Sequence, residues 1–99
     1  MFCVKVHELD GEVVVAACDA EILGKVFSDG ELEVNVGHGF YGGDRMGVEG
    51  LIGEIGSGTI VNVLGNRVVD ALVEEGVIGK DSIVELCGLK HAQIVNMRE

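Results

Sequence analysis

The stretch GLKHAQIV, residues 88–95, brings Lys90, His91 and Gln93 together near the end of the chain. An imidazole is the commonest general base near neutral pH, but it needs a partner in hydrogen-bond reach, such as Tyr41, Cys18 or Asp19. A histidine that satisfies loop backbone is the plainer reading. The single tyrosine stands in GHGFYGG, residues 37–43, where Gly37, Gly39 and Gly42 spell G-x-G-x-x-G. That spacing means dinucleotide binding only when a helix opens inside it and a carboxylate follows about twenty positions on, at the end of the next strand. Here helical periodicity starts near Gly47 or Val48, and the next strand-like run ends at Leu64-Gly65-Asn66 with no carboxylate. No Gly-Lys-Ser/Thr follows either, so neither a dinucleotide nor a Walker-type phosphate site is expected. Two readings of the loop remain. Its glycines let the chain reverse so that Phe40 and Tyr41 plug a sheet, or Tyr41 is offered to a ligand with Arg45 and His38 near in sequence as donors.

Asn66-Arg67 opens a well-patterned helix, whose free amides, dipole and arginine would favour an anion. Cys18-Asp19 precedes a second possible helix start, where a thiol pKa can fall, but the Asp19 charge works against thiolate formation. Three cysteines, an odd number without any C-x-x-C pair, read as reduced and mostly buried thiols; neither a disulfide framework nor a metal site is expected. Seventeen acidic against seven basic side chains give a net charge of −10, which opposes diffuse attraction to phosphate backbones and anionic lipids. A salty cytosol, which shortens the screening length to about 3 Å near molar salt, would remove most of that penalty.

The elements that must position these residues follow from periodicity. Apolar runs flank Asp10-Gly11, a dipeptide suited to a turn with positive φ at both central positions, so strands are expected at 2–7 and 12–17. Asp19 suits the N-cap of a one- or two-turn helix through Leu23. ELEVNV, residues 31–36, alternates as a strand with one wet face. Val48, Leu51, Ile52 and Ile55 fall at helical spacing, although Gly50 and Gly53 each cost about 1 kcal/mol relative to alanine. TIVNVL, residues 59–64, reads as a buried strand. NRVVDALVEEGVI has the clearest helical pattern, with Asn66 as a cap and Gly76 as a stop. SIVELCG and HAQIVNM form a terminal strand pair around Gly88. In that last strand His91, Gln93 and Val95 share one face, whereas Ala92, Ile94 and Met97 cannot all share the other without a bulge, which leaves the side presented by His91 open.

The order ββαβαβαββ predicts an α+β fold, a two-layer sandwich with a mixed β-sheet and helices on one face. Residues 1–99 form a single domain, since nothing in the composition divides them and the length supports one core. No apolar run approaches the roughly 18 residues of a membrane span, and the N-terminus does not read as a secretory signal. A cytoplasmic location without membrane association is expected.

Taken together, AACDAEILGKVF, FYGG, TIVNVLGNRVVDALVEEGVI and GLKHAQIV resemble an archaeal family known as domain of unknown function 424, over almost the whole chain. The combination of Phe40-Tyr41-Gly42-Gly43 with His91-Ala92-Gln93 carries most of the specificity. The family often has glutamate at the position of Asn66 and proline at that of Lys90, so no role is carried over to those two side chains. The resemblance implies a small archaeal cytosolic domain with no established reaction, and an association with translation and RNA-handling proteins. No catalytic residue, metal or cofactor follows from it. Two readings result. One is a non-catalytic binding module for RNA or a ribonucleoprotein, using Tyr41, Arg45, Arg67, Lys90, His91 and Gln93, and requiring its aromatic and cationic members to converge. The other is a small enzyme or metabolite-binding domain with Tyr41 and His91 in one pocket.

Overall fold

The computed structural model describes residues 1–96, and the chain folds around a mixed six-stranded sheet. β1 (Phe2–Leu9) and β2 (Glu12–Asp19) form an antiparallel hairpin in register from Leu9↔Glu12 to Phe2↔Asp19. Its turn is Asp10-Gly11 with φ of 51° and 82°, as the primed turn requires. Both strands run about two residues past their expected ends. β6 (Ile60–Leu64) pairs with β2 in parallel on its other side, from Val14↔Ile60 to Cys18↔Leu64, so β2 is a central strand whose backbone groups are satisfied alternately by β1 and β6.

After β2, only a single 3₁₀ turn, Ala20–Ile22, forms where a short helix was expected, and Asp19 makes no side-chain cap to it. β3 (Val26–Ser28) and β4 (Glu33–Asn35) then make a separate two-stranded ribbon. The run 31–36 is thus a three-residue strand outside the main sheet, and its partner, β3, had no clear alternating signal. The glycine-rich stretch holds a one-turn helix, α1 (His38–Tyr41), followed by edge strand β5 (Asp44–Met46) against β1. α2 (Val48–Ser57), β6 and α3 (Asn66–Glu74) follow the sequence pattern closely. The hairpin of β7 (Ile83–Leu86) and β8 (Leu89–Val95) closes through Cys87-Gly88, both at positive φ, and β8 pairs antiparallel with β6. Met97, included in the expected last strand, lies outside the described residues. The sheet order is β5-β1-β2-β6-β8-β7.

The sheet is α+β as expected, with α2 and α3 packed on one face. Strand alternation sends Phe2, Val4, Val15, Ala17, Val61, Val63 and Ala92 to that face, where they meet Leu51 and Ile55 of α2 and Val68, Val69 and Leu72 of α3. The opposite face has its own smaller core. There Cys3, Ala16, Cys18, Leu64 and Leu89 pack under Ile22, Val36 and Tyr41 from the 20–43 segment. Among the described residues, no helix is long and apolar enough to cross a membrane.

Candidate functional site

Asp19 is the one buried charged side chain among the described residues, 4% exposed. Its carboxylate accepts from the amides of Arg67 (3.1 Å) and Val68 (2.7 Å), so it caps α3 from the far end of β2. Burial pushes its pKa up from the ordinary value, and the two amide donors pull it part of the way back. The anion-binding helix start read from Asn66-Arg67 is therefore filled from within. Arg67 is itself paired with Glu21 at 2.7 Å. Asn66 does not cap the helix; its side chain accepts from the Lys90 amide at 2.8 Å and ties α3 to β8.

Tyr41 is buried, 7% exposed, with α1 lying over β1 and β2. The close approach of the α1–β5 connection explains Gly43, because a Cβ there would fall 2.0 Å from the Val4 carbonyl oxygen. Phe40 stays partly outside and stacks on His7 with ring centroids 5.1 Å apart, and His7 Nε2 lies 2.8 Å from the Phe40 carbonyl oxygen. The Tyr41 hydroxyl reaches along this face of the sheet to β6 and donates to Asn62 Oδ1 at 2.5 Å. Burial, with Cys18 close by, pushes the phenol up to about 12, so it remains a donor at neutral pH. The same burial, with Cys3 directly opposite on β1, pushes the Cys18 thiol up to about 12.

Cross-strand register defines what surrounds this bond. Asn62 is opposite Gln93 on one side and Ala16 on the other, while Leu64 is opposite His91. His91 and Gln93 thus share the face of Tyr41, whereas Ala92 and Ile94 point to the helices without any bulge in the described part of β8. His91 is half-buried, and desolvation lowers its pKa. Lys90 points the other way and pairs with Asp70 of α3 at 2.6 Å. Arg45, on β5 opposite Cys3, is exposed on the Tyr41 side. The structure therefore brings Tyr41, His91 and Gln93 into one neighbourhood, with Arg45 further along the same face. It separates Lys90 by a sheet thickness and commits Arg67 to Glu21, so the five aromatic and cationic residues do not converge. Nor do Tyr41 and His91 line the cleft of about 350 Å³ between Asp70, Val73, Lys80, Ile83, Glu85 and Lys90.

Two contributors were missed in the sequence. Asn62 is a lone amide in the largely apolar TIVNVL, and a polar side chain in a buried strand, which must find a partner, is a legible signal. Lys5 alternates with Cys3 and faces the same side. With these included, the positions of the six-stranded sheet directed to the Tyr41 face carry Lys5, His7, Arg45 and His91 and one carboxylate, Glu12, while the 20–43 segment folded over part of that face adds Glu21, Asp29, Glu31 and Glu33 against Lys25. The helical layer is the reverse: Glu49, Glu54, Asp70 and Glu74 against Arg67 alone. The outer part of the Tyr41 face is open, with Gln93 exposed and Val84 and Val95 55% and 59% exposed.

A family model described as a protein of unknown function, DUF424, matches residues 7–97. A crystal structure of an uncharacterized conserved protein from Methanopyrus kandleri superposes with a TM-score of 0.82 at 24% identity, covering 99% of this chain and 94% of that one. That similarity establishes a shared fold. No curated protein matches the chain.

Proposed function

We propose that the chain, which belongs to the DUF424 family, is a non-catalytic binding module that receives single-stranded RNA, free or within a ribonucleoprotein, on the sheet face carrying Tyr41. The observation that supports this is the charge polarity of the domain. In a chain of net charge −10, the six-stranded sheet turns Lys5 and Arg45, with the imidazoles of His7 and His91, to one face, and α2 and α3 carry their carboxylates on the other. A polyanion approaching the helical side meets repulsion, and one approaching the uncovered part of the other face meets Lys5 and Arg45, amide side chains and the half-exposed Phe40 ring. RNA recognition on open sheet faces uses this combination of backbone-tracking charge and base-contacting side chains. Of the residues named from sequence, Arg45, His91 and Gln93 contact the strand, Tyr41 acts from beneath it, and Arg67 and Lys90 serve the fold.

Fluorescence anisotropy of labelled single-stranded RNA across a salt series tests this. The expected result is salt-dependent binding, with the log–log slope smaller by about 1.4 in Lys5→Glu/Arg45→Glu, at about 0.7 per lost phosphate contact. Absence of binding by the wild type at low salt, or an unchanged slope in the variant, would overturn the proposal.

A further inference from the structure

We propose that Asn62, held in place by Tyr41, contacts the Watson–Crick edge of an unpaired base on this face, and that the donor pattern it forms with Gln93 fits uracil. This deepens the RNA-binding reading and rests on it. Tyr41 has one hydroxyl proton, and it goes to Asn62 Oδ1 at 2.5 Å. That contact commits the amide oxygen to Tyr41 of α1 and leaves the Nδ2 amino group unused by it, on a strand whose other neighbour is β8. Asn62 Nδ2 has no hydrogen bond among the described residues, yet no fully buried side-chain nitrogen or oxygen there lacks a partner, so this amino group retains some exposure. An oriented, unspent donor is thus presented at the border between the covered and the open parts of the face.

Gln93 is directly opposite Asn62 and exposed. Opposed residues on antiparallel strands have Cβ atoms about 4.5–5.5 Å apart, close enough for two side chains to address one base. Asn62 Nδ2 offers a donor, Gln93 Oε1 an acceptor and Gln93 Nε2 a second donor. The uracil edge is carbonyl, N–H, carbonyl, which is the complement of that series. Adenine offers one amino donor beside one ring nitrogen, and cytosine has its donor where the second carbonyl would be needed. His91, diagonal to Asn62 across the same strand pair and half-buried, supplies an aromatic surface beside the site.

The test compares binding of labelled oligouridine and oligoadenosine of equal length by wild type, Tyr41→Phe and Asn62→Asp, each checked for native circular dichroism, with the Asn62 side-chain amide signals followed by NMR. The wild type is expected to favour oligouridine by about tenfold, the order of discrimination of a good amide–base pair. Oligouridine should also shift the Asn62 amino signals. Tyr41→Phe keeps the ring and should bring the preference within about twofold with the salt slope unchanged, and Asn62→Asp, which replaces the donor by an acceptor, should abolish it. Equal binding of both oligonucleotides by the wild type, or a preference that survives in both variants, would overturn this inference while leaving RNA binding intact. Failure to bind either oligonucleotide at low salt would overturn both.

Discussion

Replacing Asp19 by alanine should destabilise the domain through α3 rather than through the strand that carries it. The carboxylate is the acceptor for the Arg67 and Val68 amides, at 3.1 and 2.7 Å, and Val68 is fully buried. An orphaned buried donor costs about 1–3 kcal/mol, and loss of a helix N-cap about 0.5–2 kcal/mol. Removing a buried carboxylate returns part of its desolvation cost, so the net loss should be about 2–4 kcal/mol, a large share of the roughly 5–15 kcal/mol of a small domain. At an m-value of about 1–2 kcal/mol/M, the urea midpoint should fall by about 1–4 M. Asp19→Asn keeps one acceptor and should lose roughly half as much. The pH dependence has a definite sign. Because burial raises the Asp19 carboxyl above its ordinary 3.8, the folded chain binds this proton more tightly than the unfolded one. The resulting stabilisation is complete below 3.8 and is lost as pH rises through the raised folded value. The stability gap between wild type and Asp19→Asn should therefore widen on acidification through the carboxylate range. A gap that narrows would show that the two amide bonds outweigh burial, and an alanine variant within about 0.5 kcal/mol of wild type would refute the capping role.

Gly65→Ala should also loosen α3, because φ is +131° and the new Cβ would sit 2.6 Å from the Asp19 carboxyl carbon. Chemical denaturation should give a loss of about 1–3 kcal/mol or more, and a neutral result would contradict the tight fit. Gly53→Ala, on α2 with open space around the added Cβ, should instead gain about 0.5–1 kcal/mol by the same assay. Tyr41 is the sole tyrosine in a chain without tryptophan, so alkaline spectrophotometric titration reads it alone. Phenolate should appear only near pH 12, and titration near the ordinary 10.0 would mean that the hydroxyl is solvated. An aromatic disulfide reagent should modify half-buried Cys87 first, with Cys3 and Cys18 reacting on the timescale of strand opening; equal rates for all three thiols would contradict their burial.

The elements that depend on neighbours in sequence were legible in the sequence. Asp10-Gly11 announces its hairpin because few residues accept positive φ twice in succession, and α3 is announced by Val68, Val69 and Leu72 on one side with Asp70 and Glu74 on the other. The terminal strand pair and the mixed, helix-covered sheet follow from the same periodicities. Residues 20–43 were less legible, since a two-stranded ribbon and a one-turn helix are held by the sheet beneath them and not by their own propensities.

What alternation supplied was relative: His91 with Gln93 on one face, Lys90 on the other. Which of those faces met helices and which stayed partly open was decided by the β6–β8 pairing and by the chain folded over Cys3 and Cys18. The same holds for Asp19 and Tyr41. Local rules assign an aspartate to the nearest helix start and a glycine-flanked tyrosine to a turn, but buried polar groups bind whichever partner the packed sheet presents, here α3 forty-eight and forty-nine residues away and Asn62 twenty-one residues away. The sequence by itself determined the residue types and their strand parity; the tertiary structure alone decided their partners, because burial removes water as the alternative and makes long-range hydrogen bonds obligatory.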